Sequence, residues 1–170
     1  MKTRLLIAPL VAFSLLAAAV IAAPTASAAA KACNASKLVV WAGEEPGGGT
    51  AGSVYYRIEF TNLGSSTCSL FGFPIVAALN LNGKQVGAPA THMPGKKVKA
   101  VKIAQGQTAT AQLRIVEAGN FSPNECKPTW AAGLRIGVPG GLGTKFAPLA
   151  FQTCAKTSAQ ILSVGAVTTN

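Results

Sequence analysis

In residues 53–61, read Ser-Val-Tyr-Tyr-Arg-Ile-Glu-Phe-Thr, apolar side chains fall on every second position. Successive strand residues point to opposite faces, so Val54, Tyr56, Ile58 and Phe60 share one face while Arg57 and Glu59 take the other. Such a segment is stable only in a sheet with one side buried. Residues 108–115 repeat the pattern with Ala109, Ala111, Leu113 and Ile115. Leu134, Ile136 and Val138 make a third case. Further strands are expected over residues 37–42, 74–81, 98–103, 145–149 and 160–167. Asn82-Gly83 predicts a tight hairpin after the 74–81 run, because a type I′ turn needs positive φ at both central residues. Gln105-Gly106-Gln107 joins two more strands, while Gly47-Gly48-Gly49 and residues 139–143 read as flexible loops. Seven or eight short strands parted by Gly, Pro and Asn turns predict an all-β, antiparallel β-sandwich.

The first residues have a different character. Lys2 and Arg4 open the chain, an apolar run extends from Leu5 to Ala23, and small residues surround Ala26-Ser27-Ala28. This three-part pattern predicts a secretory signal peptide over residues 1–28, cleaved near Ala28, and one domain over 29–170. A membrane anchor is disfavoured because Pro9 interrupts the run and Ala dominates its second half. A lipid-attachment box at Cys33 is disfavoured by Lys31. Without Lys2 and Arg4 the chain keeps thirteen basic residues against five acids, a net charge of +8. Export makes disulfides the expected state of Cys33, Cys68, Cys126 and Cys154. Three pairings are open, and spacing does not choose among them. Cys33 with Cys68 and Cys126 with Cys154 is preferred because each bond then ties one half of the domain.

Several chemistries lack their residues. The five acids are all Glu and the chain contains no Asp, which removes a Ser-His-Asp triad and an EF-hand. His92 is the single imidazole and is read as an exposed loop residue. Glu44 and Glu45 are adjacent, so in a strand they diverge, and in a Gly-rich loop they are a solvated pair. Four paired Cys leave no thiolate nucleophile. Gly140-Gly141-Leu142-Gly143-Thr144-Lys145 has no helix behind it to complete a phosphate loop. No zinc-type Cys spacing occurs, so neither a metal nor a cofactor is expected. The expectation is a protein that is not an enzyme.

Charge is the feature that remains. In Lys97-Val98-Lys99-Ala100-Val101-Lys102-Ile103 the apolar phase slips between Ala100 and Val101, which predicts a β-bulge. With that slip Lys97, Lys99 and Lys102 share one solvated face, Lys96 extends it, and Lys84 is placed on a neighbouring strand. Four lysines without an interleaved aromatic or Arg fork are a poor nucleic-acid site. An anionic envelope polymer or an anionic membrane surface is the better partner, reached over a Debye length of about 8 Å.

At Thr61-Asn62-Leu63-Gly64-Ser65-Ser66-Thr67-Cys68-Ser69-Leu70-Phe71-Gly72-Phe73-Pro74 the chain resembles the actinobacterial domain-of-unknown-function family 4232. That family shows a strand ending in Thr-Asn, a Gly-Ser turn, then Cys-x-Leu-x-Gly-Phe/Tyr-Pro. Cys33, Gly87-Ala88-Pro89-Ala90, the 105–109 strand entry and Cys126 agree in order, so the resemblance covers roughly residues 33–167. It implies an immunoglobulin-like sandwich and export, and it implies no activity. In physical terms the motif is scaffold: Asn62 bonds local backbone, Gly64 permits positive φ, and Gly72 with Pro74 fixes the next strand entry.

The resulting expectation is an exported, monomeric, non-enzymatic binding module at the cell envelope that uses Lys96, Lys97, Lys99 and Lys102. The alternative is a small-ligand carrier or protease inhibitor on a sandwich scaffold, with Trp41, Trp130 and Phe146 lining its site.

Overall fold

The alternating runs become the longest paired strands of the molecule. A computed structural model describes residues 30–95 and 97–169, so the segment read as a signal peptide and Lys96 lie outside the described residues. Strands β1 (Leu38–Thr50) and β2 (Ser53–Asn62) form a hairpin, and β2 pairs with β7 (Thr108–Val116) from Ser53↔Val116 to Thr61↔Thr108. Strands β10 (Leu162–Val164), β5 (Thr91–His92) and β11 (Thr168–Thr169) complete a six-stranded sheet in the order β1-β2-β7-β10-β5, with β11 also against β7. A second sheet has the order β4-β8-β9, formed by Ile75–Leu79, Pro128–Gly137 and Thr144–Cys154. A third is a two-stranded ribbon of β3 (Cys68–Phe71) and β6 (Ala100–Ile103). The β10–β5 pair is parallel and the other named pairs are antiparallel.

Inward residues of all three sheets meet in one core. Ile58, Phe60 and Leu113 come from the large sheet, Val76, Leu134 and Ile136 from the second, and Leu70 and Ile103 from the ribbon. Each such side chain contributes about 1.5–3 kcal/mol on leaving water. The expected all-β, antiparallel fold is therefore found, with eleven strands among the described residues rather than seven or eight.

Both preferred disulfides form. Cys33 joins Cys68 with Cα atoms 4.9 Å apart, and Cys126 joins Cys154 at 4.5 Å. The Thr61–Pro74 segment is scaffold, as its chemistry implied. Asn62 is buried; its Nδ2 donates to the carbonyls of Ser66 (2.9 Å) and Ile103 (3.0 Å), and its Oδ1 accepts from the Gly64 N–H (2.8 Å). One amide thus fastens the end of β2 to the end of β6. Gly72 has φ of +89° as its turn requires, whereas Gly64 is not in the left-handed region and serves instead by close approach to Asn62 Oδ1 and the Lys37 side chain.

Other local expectations are corrected. The 80–84 hairpin is not type I′: the Gly83 N–H closes a turn onto the Asn80 carbonyl, and of Asn82 and Gly83 only Gly83 has positive φ. A turn followed by one left-handed residue gives a three-residue loop. No bulge interrupts the lysine strand, because β6 starts at Ala100 and pairs in continuous register from Phe71↔Ala100 to Cys68↔Ile103. Residues 97–99 precede it as irregular chain. Gly47-Gly48-Gly49 belongs to β1, where the register shifts between Glu44 and Gly49. The 139–143 segment is tied down by Ala35 N–H to Leu142 O (2.8 Å) and Leu142 N–H to Cys33 O (3.0 Å). His92 lies in β5 rather than in a loop.

Candidate functional site

The lysine region is built on the ribbon. In β3, Cys68 and Leu70 turn toward the core, which sends Ser69 and Phe71 outward. In β6, buried Val101 and Ile103 leave Ala100 and Lys102 exposed. The register sets Lys102 opposite Ser69 and Ala100 opposite Phe71, so Lys102 and Phe71 are diagonal neighbours on one outer face. Phe71 is 55% exposed. Lys97 and Lys99 are exposed just before β6 and line a shallow groove with Val167, Thr168 and Thr169. Lys97 and Lys99 thus stand on the irregular lead-in, beside the groove, while Lys102 stands on the outer face of β6 and is not among the groove's lining residues. Lys84 is in neither place, since it sits on the β4 hairpin and β4 pairs with β8 rather than β6. Phe71 was missed as a site residue, although the alternation Cys68, Leu70 inward already turned it outward.

Charge elsewhere is arranged differently. Among the described residues the ion pairs are Arg57 with Glu45 and Arg57 with Glu59, both at 3.8 Å, and no lysine takes part in one. Gln112 Nε2 donates to Glu45 at 3.0 Å on the same outer face of the six-stranded sheet. Glu44 points the other way, toward Tyr56. Burial, followed by the Glu44 carboxylate, raises the Tyr56 hydroxyl above the usual tyrosine range. Glu44 and Glu45 are thus split across the sheet, inside β1 rather than in a loop. His92 stacks on Phe73 with ring centroids 3.9 Å apart. Among the described residues no group of three or more His, Cys, Asp or Glu is placed to hold a metal ion, and no helix is long and apolar enough to cross a membrane.

The three aromatics of the alternative do not converge. Trp41 is on the outer face of β1, whereas Trp130 and Phe146 are on the outer face of the three-stranded sheet. The Phe146 ring lies over Gly133, where a Cβ would collide with it. Trp130 lines a groove with Leu81, Ala132 and Ala150. Ile75 and Leu81, 74% and 93% exposed, add to this apolar side.

The family described as "Domain of unknown function (DUF4232)" matches over residues 33–168. No curated protein and no solved structure matches the chain.

Proposed function

The chain belongs to the DUF4232 family, whose description assigns no activity, and from that premise we propose an exported, non-enzymatic module that binds an anionic surface of the cell envelope. The observation that supports this reading most is that Lys97, Lys99 and Lys102, close together in sequence, are each exposed and take part in none of the ion pairs among the described residues. Cations held by no internal carboxylate keep their field for an external anion. Phe71 beside Lys102 supplies an apolar contact at the same face. Two disulfides fit an oxidising compartment. The absence of Asp and the single His support a role without acid–base chemistry.

Vesicle co-sedimentation at low salt tests this, with phosphatidylglycerol vesicles in one arm and a soluble anionic polymer, polyglycerol phosphate, in the other. The Lys97→Gln/Lys99→Gln/Lys102→Gln variant should bind roughly 100-fold more weakly, since each lysine near an anionic surface contributes about 1 kcal/mol. Failure of the wild type to bind in both arms would overturn the reading.

The apolar side of the three-stranded sheet favours a second reading, a carrier of small apolar ligands in the groove beside Trp130. Unchanged Trp130 fluorescence across a panel of fatty acids and sterols would remove it.

A further inference from the structure

Neither reading uses Trp41 or the cleft next to it. Trp41 is 52% exposed on the outer face of the six-stranded sheet, although indole is a side chain that gains most from burial. Its ring lies over the backbone of Gly43, since a Cβ at position 43 would overlap the six-membered ring. The missing side chain lets the indole lie flat on its own strand and turn one face to solvent.

The strands beside it carry polar side chains in register. Trp41 faces Glu59, Glu59 faces Thr110, and Thr110 faces Thr168, while Gly43 faces Arg57 and Arg57 faces Gln112. With strands about 4.8 Å apart, the first row spans roughly 14 Å. Arg57, Thr110, Gln112, Thr168 and Glu45 line a cleft of about 320 Å³, walled on its far side by Met93, Pro94 and Gly95. These groups are ordered in advance: Gln112 donates to Glu45 at 3.0 Å, and Arg57 lies 3.8 Å from both Glu45 and Glu59.

Each alternative ligand class meets a specific obstacle. Among the described residues that line the cleft the one cation, Arg57, is already engaged by the Glu45 and Glu59 carboxylates, so an incoming phosphate or acidic polymer would meet two acids around a guanidinium that is not free. The mixture of carboxylate, amide, guanidinium and hydroxyl disfavours a purely apolar guest, whose binding would strip water from those groups without replacing it. A sugar chain meets both requirements. Its rings present C–H faces that lie on a flat aromatic, and their hydroxyls both donate and accept, as a row of Glu, Arg, Gln and Thr demands. We propose that this face binds a neutral glycan chain, with Trp41 as the stacking platform and Glu45, Arg57, Gln112 and Thr110 as the hydrogen-bonding groups.

Isothermal titration of the protein with cellohexaose, chitohexaose, mannohexaose and arabinohexaose tests the proposal. At least one hexasaccharide should bind, and its affinity should persist at high salt. Trp41→Ala should lower that affinity at least tenfold, Trp41→Phe should retain part of it, and Gly43→Ala should reduce it by displacing the indole although the tryptophan itself is kept. Gln112→Ala, a solvent-facing change, provides a second variant whose folding does not depend on the tryptophan. The Lys97→Gln/Lys99→Gln/Lys102→Gln variant should bind the hexasaccharide like the wild type, which separates this site from the anionic-surface reading. No binding by any of the four sugars, or equal binding by Trp41→Ala and the wild type, would overturn it.

Discussion

The β3–β6 ribbon and the outer face of the six-stranded sheet both carry charge, and they hold it in opposite ways. On the large sheet Arg57 sits between Glu45 and Glu59, and Gln112 adds a hydrogen bond to Glu45. On the ribbon Lys102 stands opposite Ser69, and Lys97 and Lys99 extend from irregular chain. Charges engaged with one another fix side-chain positions and suit recognition by geometry. Unengaged charges leave their field available and suit attraction at a distance. The backbones differ as well. The sheet is supported by long pairings on both sides of β2, whereas a two-stranded ribbon is marginal by itself. Its support comes from residues 31–33 through Cys33 N–H to Ser69 O (2.9 Å), from the Phe71 N–H to Pro139 O (2.9 Å), and from the Cys33–Cys68 bond.

The largest effect that would break this contrast is loss of that bond. Replacing Cys33 and Cys68 together by Ser should lower stability by about 3–4 kcal/mol, given the 35-residue separation. Urea unfolding measures it. Amide exchange should quicken in β3 and β6 before β2 and β7; uniform acceleration would show that the ribbon has no separate stability. Next comes Asn62→Ala, which removes three hydrogen bonds and leaves the buried Ile103 carbonyl without its side-chain donor. A loss of about 2–3 kcal/mol is expected, with anionic-surface binding weakened because β6 loses its tie to the sheet. Arg57→Gln should be far milder. Its partners are partly exposed at 3.8 Å, and pairs of this kind contribute about 0–1 kcal/mol. A loss above that range in thermal unfolding would mean that the pairs hold the sheet together rather than order its surface.

The same contrast explains what the sequence disclosed. Strands β2 and β7 were legible because apolar residues recur at every second position over residues 53–61 and 108–115, and those of them nearest the middle of the sheet, Ile58, Phe60, Ala111 and Leu113, are buried. Of the ribbon, β6 falls inside the strand expected over residues 98–103, whereas β3 was not legible, since it has four residues and the inward pair Cys68 and Leu70 is too short to establish a period. In β8 and β9, Pro128, Gly133 and Pro148 break the pattern, and a register shift lies between Ala131 and Gly133, so only fragments were read as strands. A bulge near Ala100 would require one strand to run through Lys97–Lys99, but strand pairing begins only at Ala100. Lysines 97, 99 and 102 are legible from their local pattern with Val98, Val101 and Ile103, although the bulge that pattern predicts is not formed. Trp41 stands out in the sequence by its size, but the residues in register with it and with Gly43, which are Glu59, Thr110, Arg57 and Gln112, come from β2 and β7, and only strand pairing brings them into the same rows.

The smallest effect concerns the two adjacent acids that the sheet separates. Glu45 belongs to the outer network, whereas Glu44 acts on Tyr56, whose hydroxyl is held above its usual range first by burial and then by the Glu44 carboxylate. A raised pKa in the fold means that the neutral phenol is favoured there. The unfolded chain therefore releases this proton first as the solution becomes alkaline, beginning near the ordinary tyrosine value of 10.0, so the stability linked to Tyr56 is complete below that pH and is lost as the pH rises above it through the folded-state value. Tyr56→Phe removes the titrating group and should flatten the alkaline fall in melting temperature. Glu44→Gln should reduce the slope less, because burial remains. Glu45→Gln should leave it unchanged, its carboxylate facing the opposite side with Arg57. If Glu45→Gln flattened the slope as much as Glu44→Gln, the two faces of the sheet would not be electrically separate, and the division between the engaged outer surface and the half-buried Tyr56 side would fail.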